Sequence, residues 1–323
     1  MTIDDLTHAG SVRAFATQIL RARDADGCET LLGPWRAPVN LLRAQSYGDH
    51  ASIHDDATAQ RLGFRGGTIE GPTHFSQFAP LLEAAFGADW FVSGFISANY
   101  RQAAYEGERV QASLTIKAPG RGELVMTKED GSVVLTGQGG LAPGGGQTGV
   151  REKRARARSL SAPRILEGCI VGAQTPPRRV RLGFDQHMGD LYPFTLADKL
   201  AVITEPSPWY TRATGAPWGG AMMPLEMVSV LCQSVADQDP FPVRQPVVGL
   251  FADQEIVVSH GPLSPDDAYD LVREVTALSE TPKTECVWIE SRLYDPGTQR
   301  LRATMLLNQA FLKSSSDLYA GEA

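Results

Sequence analysis

The same order of structural signals occurs twice in this chain of 323 residues. Residues 73–87 and residues 225–237 both carry apolar side chains at the spacing of a helix with a broad buried face. Runs typical of antiparallel strands follow each helix, at 91–100, 109–118, 122–127 and 132–142 and then at 247–258, 269–278, 284–295 and 300–312. Because a helix that is apolar on most of its circumference must be enclosed, we expect each sheet to wrap around its helix.

Two pairs of glycines support an internal duplication. Gly66 and Gly219 lie 153 positions apart, and Gly94 and Gly249 lie 155 positions apart. The sequence therefore predicts an α+β protein with a double hotdog fold, in which the two sheets pair edge to edge and cover each other's exposed strands. The predicted units are residues 1–145 and residues 163–323, joined by a linker at 146–162.

The predicted linker is rich in glycine and arginine. A glycine run, which disfavours regular structure, is followed by five cations: Arg151, Lys153, Arg154, Arg156 and Arg158. Such a group of cations is typical of a solvated connector. A second interpretation is that the cations contact the phosphates of a nucleotide-bearing ligand such as coenzyme A.

Composition and charge exclude several classes of function. The chain carries a formal net charge of −7 at pH 7, which argues against a surface for nucleic acid or anionic membranes. No stretch has the apolar length of a transmembrane helix, and residues 1–20 do not resemble a secretory signal. The four cysteines form no Cys-x-x-Cys pair, which indicates a reducing compartment. We therefore expect a cytoplasmic protein without a nucleic-acid or membrane partner.

A cluster of acidic and histidine residues precedes the first helix. Residues 46–75 contain Asp49, His50, His54, Asp55 and Asp56. Asp55 and Asp56 are placed to cap a short helix predicted at 57–63. Carboxylates and imidazoles also suit several divalent metals, but their spacing here matches no helix-borne metal motif. Asp49 and His54 remain as a candidate acid–base pair.

The same segment resembles a known enzyme family. SYGDHASIHDD at 46–56, followed by GFRGGTIEGPTHF at 63–75, is similar to the MaoC-like (R)-specific enoyl-CoA hydratases and dehydratases. The resemblance implies that Asp49 and His54 are catalytic and that the backbone N–H of Gly71 polarises the thioester carbonyl. It also implies a substrate carried on coenzyme A or acyl carrier protein, with no cofactor and no metal.

This chain departs from the family pattern at four positions. Tyr47 stands where the family has a small residue. Ala51 and Ser52 stand where the family has Asn and Pro, and Glu70 stands where a His usually precedes the helix glycine. Other polar and aromatic residues are candidates for the surface that lines the substrate. These candidates are Glu70, His74, Tyr100, Trp209, Tyr210 and Trp218.

Hydration of a 2-enoyl thioester needs a base, an acid and a hydrogen-bond donor for the thioester oxygen. An Asp and a His that converge on one water supply the first two, and a helix N-terminus supplies the third. A shift of 153 positions from Asp49 and His54 leads to Val202 and Ser207, which cannot act as such a pair. We therefore expect one active site per chain, in the first half, and a degenerate second half.

Two other classes of function stay open. Some hotdog proteins are thioesterases that use a carboxylate on the helix, for which Glu83 or Glu70 is the candidate here. A non-catalytic protein that binds acyl thioesters is the third possibility. Because a double hotdog still leaves sheet edges exposed, we also expect the chain to form a homodimer.

Overall fold

Eleven strands of the computed structural model pair into one continuous antiparallel sheet. The structure describes residues 13–23, 27–47, 50–141, 148–212 and 215–321. The strands of the first half are β1 (Leu20–Arg23), β2 (Glu29–Leu32), β3 (Ser46–Tyr47), β4 (His50–Ala51), β5 (Gly94–Tyr100), β6 (Val110–Ala118), β7 (Arg121–Lys128) and β8 (Val133–Leu141). Those of the second half are β9 (Arg178–Arg181), β10 (Gly249–Val258), β11 (Ala268–Glu280), β12 (Thr284–Tyr294) and β13 (Leu301–Leu312).

The helices are short and lie before the long strands of each half. They are α1 (Asp56–Arg61), α2 (Phe75–Phe86), α3 (Asp89–Ser93), α4 (Gly149–Arg156), α5 (Leu196–Val202) and α6 (Leu225–Gln233). Short 3-10 turns occur at Gly71–His74, Pro208–Tyr210, Lys313–Ser315 and Asp317–Tyr319. Within the described ranges, none of these helices combines the length and the apolar character needed to cross a bilayer.

The two halves of the sheet meet where β5 pairs with β10. The order of strands is β1-β2-β6-β7-β8-β5-β10-β13-β12-β11-β9, and β3 and β4 form a separate hairpin. At the seam, Ile96 lies opposite Ile256 and Asn99 lies opposite Asp253. The pairing removes one exposed edge from each half sheet, as the sequence predicted. The double hotdog fold is therefore confirmed.

Helix α2 forms the centre of the first half. Phe75, Leu81 and Leu82 are completely buried, and the helix packs against β6 and β8. In the second half, Met227 and Leu231 on α6 are equally buried. The two helices also contact each other, so the halves share one continuous apolar core.

Most strands lie within a few residues of their predicted positions, with one clear exception. The predicted strand 91–100 is partly wrong, because residues Asp89–Ser93 form α3 and β5 begins only at Gly94. The indole of Trp90 fills the space beside Gly94, where a Cβ would lie 2.3 Å from the ring. Its Nε1 donates to the carbonyl of Phe95 at 3.2 Å, which fixes the turn. The predicted helix 225–237 is also shorter, since α6 ends at Gln233.

Helix α4 lies inside the predicted linker and is anchored to the seam. Nε of Arg151 lies 2.6 Å from Oε1 of Glu255, and Nζ of Lys153 lies 2.7 Å from Oδ1 of Asp253. Both carboxylates are fully buried side chains of β10. These two cations therefore hold α4 against the sheet and do not belong to a solvated connector. The boundaries of the two units stay a prediction.

Candidate active site

The chain reaches α2 through the 3-10 turn Gly71–His74, in which Pro72 occupies the first turn. Among the described residues, the amide N–H of Gly71 has no hydrogen-bond acceptor. A side chain at this position would not fit, because a Cβ would lie 2.4 Å from the ring of Tyr100. The Tyr100 hydroxyl donates to Oε1 of Gln254 at 2.9 Å, which holds the ring in place. The start of the helix therefore presents a donor without a protein partner.

His54 lies in the turn before α1, and the backbone fixes its ring. Nδ1 lies 2.6 Å from the carbonyl oxygen of Thr68. Since a carbonyl only accepts hydrogen bonds, Nδ1 carries the proton and Nε2 is the acceptor nitrogen. Burial lowers the pKa of His54 to about 4, so the ring is neutral near pH 7. His54 thus has the tautomer and the charge that a general base requires.

Three contacts fix the backbone at His54. Nδ2 of Asn40 donates to the carbonyl of His54 at 2.9 Å, and the amide of His54 donates to Oγ of Ser52 at 3.1 Å. Gly67 approaches so closely that a Cβ there would lie 2.2 Å from the same carbonyl oxygen. Ser52, which departs from the family pattern, therefore supplies an acceptor that a proline side chain does not have.

The acidic residues around His54 have separate structural tasks. Asp55 is the N-cap of α1 and accepts from the amide of Thr58 at 2.8 Å, which confirms its predicted role. Asp56 lies in the first turn and accepts from the amide of Gly67 at 2.7 Å. Asp49, the predicted partner of His54, lies outside the described residues. In the part of the chain that the structure describes, no group of three or more potential metal ligands is found.

Glu70 is buried at the start of the helix, near other ionisable groups. Burial above all raises the pKa of Glu70 to about 7, and the nearby Glu226 adds to this effect. Lys199 and a hydrogen bond from Tyr192 act in the opposite direction. Nζ of Lys199 lies only 2.8 Å from Oε2 of Glu226, so the lysine already has a carboxylate partner. Glu70 is therefore partly protonated near pH 7.

Two basic residues close to Glu70 in the sequence, Arg65 and His74, do not pair with it. Arg65 forms its ion pair with Glu108 and not with Glu70. His74 is 1% exposed, and burial, followed by the charges of Lys199 and Lys128, lowers its pKa to about 3. Its Nδ1 has no hydrogen-bond partner among the residues that the structure describes. His74 is therefore neutral and cannot serve as a cation for Glu70.

These groups line one large cavity between the two halves of the chain. The cavity has a volume of about 1110 Å³ and is lined by His54, Glu70, Gly71, His74 and Tyr100 from the first half. Its other wall comes from β10, from the turn between β11 and β12, and from β13. A second cavity of about 600 Å³ adjoins it, because residues such as Gln45, Tyr47 and Phe251 line both. The structure therefore places these five first-half candidates around one cavity.

Three aromatic residues of the second half, which were candidates for the surface that lines the substrate, lie elsewhere. Trp209 and Tyr210 are 1% and 2% exposed, and neither they nor Trp218 lines either large cavity. The rings of Trp209 and Trp218 lie 5.2 Å apart, and both pack edge-on against Phe91. This expectation is therefore corrected: the aromatic residues fill the core between the halves, where large rings bury the most apolar area.

Five cations form what we call the basic rim of the large cavity. They are Arg101, Lys153, Arg156, Arg158 and Lys283, of which three belong to the predicted linker. The side chains of Arg156 and Arg158 are 81% and 75% exposed and lie 3.8 and 3.2 Å from Glu152 and Glu280. Exposed ion pairs of this kind are weak, so the guanidinium groups stay available to an anion.

The sequence did not reveal the residues that the second half contributes to the site. Tyr192, Lys199, Glu226 and Gln254 all contact first-half candidates or their neighbours. A buried lysine is rare, so Lys199 in the helix LADKLAV, whose other residues except Asp198 are apolar, was a usable signal. Its partner Glu226 is on another helix, and nothing in the local pattern connects the two.

Comparisons with known proteins identify the fold. No protein-family model matches the sequence, and no curated protein matches it. A candidate MaoC domain dehydratase from Chloroflexus aurantiacus J-10-fl is 12% identical, with coverage of 96% of this chain and 99% of that chain and a TM-score of 0.54. The double hotdog protein RV0216 from Mycobacterium tuberculosis is 10% identical, with coverage of 86% and 94% and a TM-score of 0.53. These two solved structures are a MaoC domain dehydratase and a double hotdog protein, and the resemblance seen in the sequence is confirmed for the fold.

Proposed function

We propose that this chain is a hydratase/dehydratase that interconverts 2-enoyl and 3-hydroxyacyl thioesters. His54 and Asp49 act on the water, and the amide N–H of Gly71 binds the thioester oxygen. The likeness in fold to a MaoC domain dehydratase supports the class of reaction. The geometry of the large cavity supports the choice of His54 and Gly71.

One observation carries the proposal: a neutral, fixed imidazole and an amide donor without an acceptor line the same cavity. His54 holds its proton on Nδ1, toward the carbonyl of Thr68, and leaves Nε2 to accept another. Gly71 offers its N–H at the start of a helix, where the helix dipole favours negative charge. A base and an oxyanion donor are two of the three groups that hydration of an enoyl thioester requires.

The residues divide the reaction between them. In the hydration direction, Nε2 of His54 accepts a proton from water while the water oxygen bonds to C3 of the substrate. The electron pair of the C2–C3 double bond shifts toward the thioester oxygen, and the N–H of Gly71 stabilises the charge that forms there. Protonated Asp49 then delivers a proton to C2, and the proton on His54 returns to Asp49 before the next turnover. Dehydration follows the same steps in reverse.

The basic rim supports a carrier that bears phosphate. Coenzyme A and the phosphopantetheine arm of acyl carrier protein both carry phosphate at the end of the pantetheine remote from the sulfur, and guanidinium and ammonium groups bind phosphate well. The rim contains Arg156 and Arg158, whose own ion pairs are exposed and weak. A thioester whose carrier lies across the rim reaches Gly71 through the large cavity.

A thioesterase is the second candidate, and the state of Glu70 favours it. Glu70 lines the cavity next to Gly71 and has a pKa of about 7, which suits a carboxylate that accepts or donates protons near neutral pH. Glu83, the other carboxylate considered for this role, accepts a hydrogen bond from the amide of Ala14 at 2.7 Å and lines neither large cavity. In this alternative, Glu70 activates water for attack on the thioester carbon.

The deciding experiment follows two signals with the same substrate. The purified protein is incubated with 2-enoyl-CoAs, and the absorbance of the conjugated thioester is recorded together with the release of free thiol. Loss of absorbance without thiol supports the hydratase, whereas thiol release supports the thioesterase. If His54→Ala leaves turnover intact and Glu70→Gln abolishes it, the hydratase is wrong. Tight binding of an enoyl-CoA with neither signal identifies a binding protein without activity.

A further inference from the structure

A buried arginine in the smaller cavity forms no hydrogen bond with a carboxylate of the described residues. Arg273 on β11 is 3% exposed and lines the cavity of about 600 Å³. Its Nε has no hydrogen-bond partner among the described residues. Its two terminal nitrogens make only long contacts, at 3.4 Å to the carbonyl of Asp239 and at 3.5 Å to Oε1 of Gln233. A buried guanidinium is normally paired, so this one stands out.

A second buried donor lies in the same cavity. Gln233, at the end of α6, is 7% exposed and lines the same cavity, and its Nε2 is also without a partner in the described part of the chain. The carboxylate of Asp239 attracts Arg273 electrostatically, but it is hydrogen bonded to Arg178, with contacts of 2.6 and 2.9 Å, and forms no hydrogen bond with Arg273 among the described residues. Asp190 and Asp237 line the cavity too, but both are exposed to solvent. The donor groups of Arg273 and Gln233 therefore suit an anion with two acceptor oxygens.

The rest of the smaller cavity is suited to a hydrocarbon chain. Its walls include apolar side chains such as Leu191, Val247 and Ile289, and the ring of Phe241 lies 5.2 Å from the guanidinium of Arg273. The cavity adjoins the large cavity at Tyr47 and Phe251, which line both. Tyr192 connects the two sites, because it hydrogen bonds to Glu70 and lies close to Arg273.

We propose that the smaller cavity binds the far end of the acyl group and that Arg273 and Gln233 bind a carboxylate there. The preferred substrate is then the monothioester of an unsaturated dicarboxylic acid. Nε and one terminal nitrogen of the guanidinium bind the two oxygens of the carboxylate, and Nε2 of Gln233 donates a third hydrogen bond. This inference rests on the proposed function for its reaction, but the binding site can be tested without turnover.

The test compares acyl groups that differ only at their far end. For a series of chain lengths, kcat/KM is measured for 2-enoyl-CoAs that end in a carboxylate and for those that end in a methyl group. We expect the wild type to prefer the carboxylate by about 100-fold or more at the best length, because a methyl end leaves buried donors unpaired. Arg273→Met should abolish or reverse the preference, and Arg273→Lys should keep part of it. The matched control is Arg179→Met, an exposed arginine on the neighbouring strand β9, which should leave the preference unchanged.

Binding of saturated acyl-CoAs separates this inference from the proposed function. Calorimetry should show that the saturated carboxylate-ended thioester binds more tightly than the methyl-ended one and that Arg273→Met removes the difference. If this holds but no enoyl thioester is hydrated, the proposed function is wrong and the carboxylate site stands. If both enoyl series are hydrated with equal kcat/KM, or the methyl ends are preferred, the carboxylate site is overturned and the function stands. Circular dichroism of each variant identifies any loss of fold.

Discussion

The backbone amides that precede α2 and α6 differ in their hydrogen bonding, although the two helices occupy corresponding places in the two halves. Before α2, the N–H of Gly71 has no acceptor in the described residues and lines the large cavity. The residue 153 positions further on is Pro224, which has no N–H. The preceding amide, of Met223, donates to the carbonyl of Leu263 at 2.7 Å. At this pair of corresponding positions, the first half therefore has an amide donor and the second half has none.

The space beside the two helix starts differs as well. The cavity at Gly71 has a volume of about 1110 Å³, whereas the cavity at Met223 has about 20 Å³. The latter leaves no room for a thioester. Phe91 and Tyr210 are among the side chains that enclose it. In the second half, side chains therefore fill most of the space beside the start of the helix.

The positions that correspond to the acid–base pair have taken on structural tasks. Val202 is the last residue of α5, and Ser207 donates its hydroxyl proton to the carbonyl of Ala14 at 2.6 Å. The comparison shows that the repeated fold does not by itself provide chemistry. Chemistry requires a donor and a base that the protein leaves unpaired beside an open space, and the described residues combine these features in the first half.

The strongest test of this comparison exchanges one histidine in each half. His54→Ala should lower kcat by about 100-fold or more, the usual scale for a general base. His260 is the matched control, because its Nδ1 also contacts a carbonyl, that of Leu301 at 2.8 Å, but it is exposed and lines neither large cavity. His260→Ala should change kcat by less than about twofold, as for other surface substitutions. Steady-state kinetics with one enoyl-CoA measures both, and equal effects would contradict the comparison.

A second test uses the paired glycines. Gly67→Ala places a Cβ against the carbonyl of His54, at a starting distance of 2.2 Å, and should lower kcat by about tenfold or more by displacing the imidazole. At the corresponding Gly220, the nearest atom to a Cβ is Oγ of Ser264 at 3.7 Å, so Gly220→Ala should be tolerated. Kinetics together with thermal unfolding separates displacement of the base from loss of the fold. A Gly67→Ala variant with wild-type kcat would show that the position of His54 does not limit the reaction.

A third, smaller effect concerns the pH dependence of the first-half site. Glu70 has a pKa of about 7, so its ionised form increases as the pH rises through this value and places a negative charge beside the developing oxyanion. The wild-type kcat/KM should therefore fall on the alkaline side of about pH 7, whereas the neutral base His54 stays competent. Glu70→Gln should match the wild type near pH 6 and exceed it by about threefold near pH 8.5. Loss of activity in Glu70→Gln at every pH would instead support the thioesterase.

The sequence predicted the fold well because the fold depends on local patterns. The alternation Val110, Ala112, Leu114 on β6 and the apolar face of α2 require only the identities of residues close in the chain. The same reasoning missed β1, β2 and β9, which are four residues long and carry too many polar side chains for a clear alternation.

The candidate site was harder to predict because it depends on contacts between distant segments. His54 and Gly71 belong to one motif, so the sequence could propose them together. The residues that surround them do not belong to that motif. Asn40 lies 14 residues before His54, and Lys199 reaches the site from the other half. The aromatic residues Trp209 and Tyr210 were misplaced because a large apolar side chain suits a core and a substrate cavity equally well.

The smallest effect that we predict is a factor of two in stoichiometry. A saturated acyl-CoA analogue in which a methylene replaces the thioester sulfur keeps the carbonyl oxygen and can be neither hydrated nor hydrolysed. It is titrated into the protein by calorimetry at concentrations well above its Kd. We expect an end point of one analogue per chain, because Pro224, at the position that corresponds to Gly71, has no N–H and the cavity beside Met223 has only about 20 Å³. Gly71→Pro, which removes the only proposed donor, should abolish the tight phase and leave no second one, whereas Gly220→Ala should leave the end point unchanged. An end point of two, or a tight phase that persists in Gly71→Pro with its fold intact, would mean that the second half also binds a thioester.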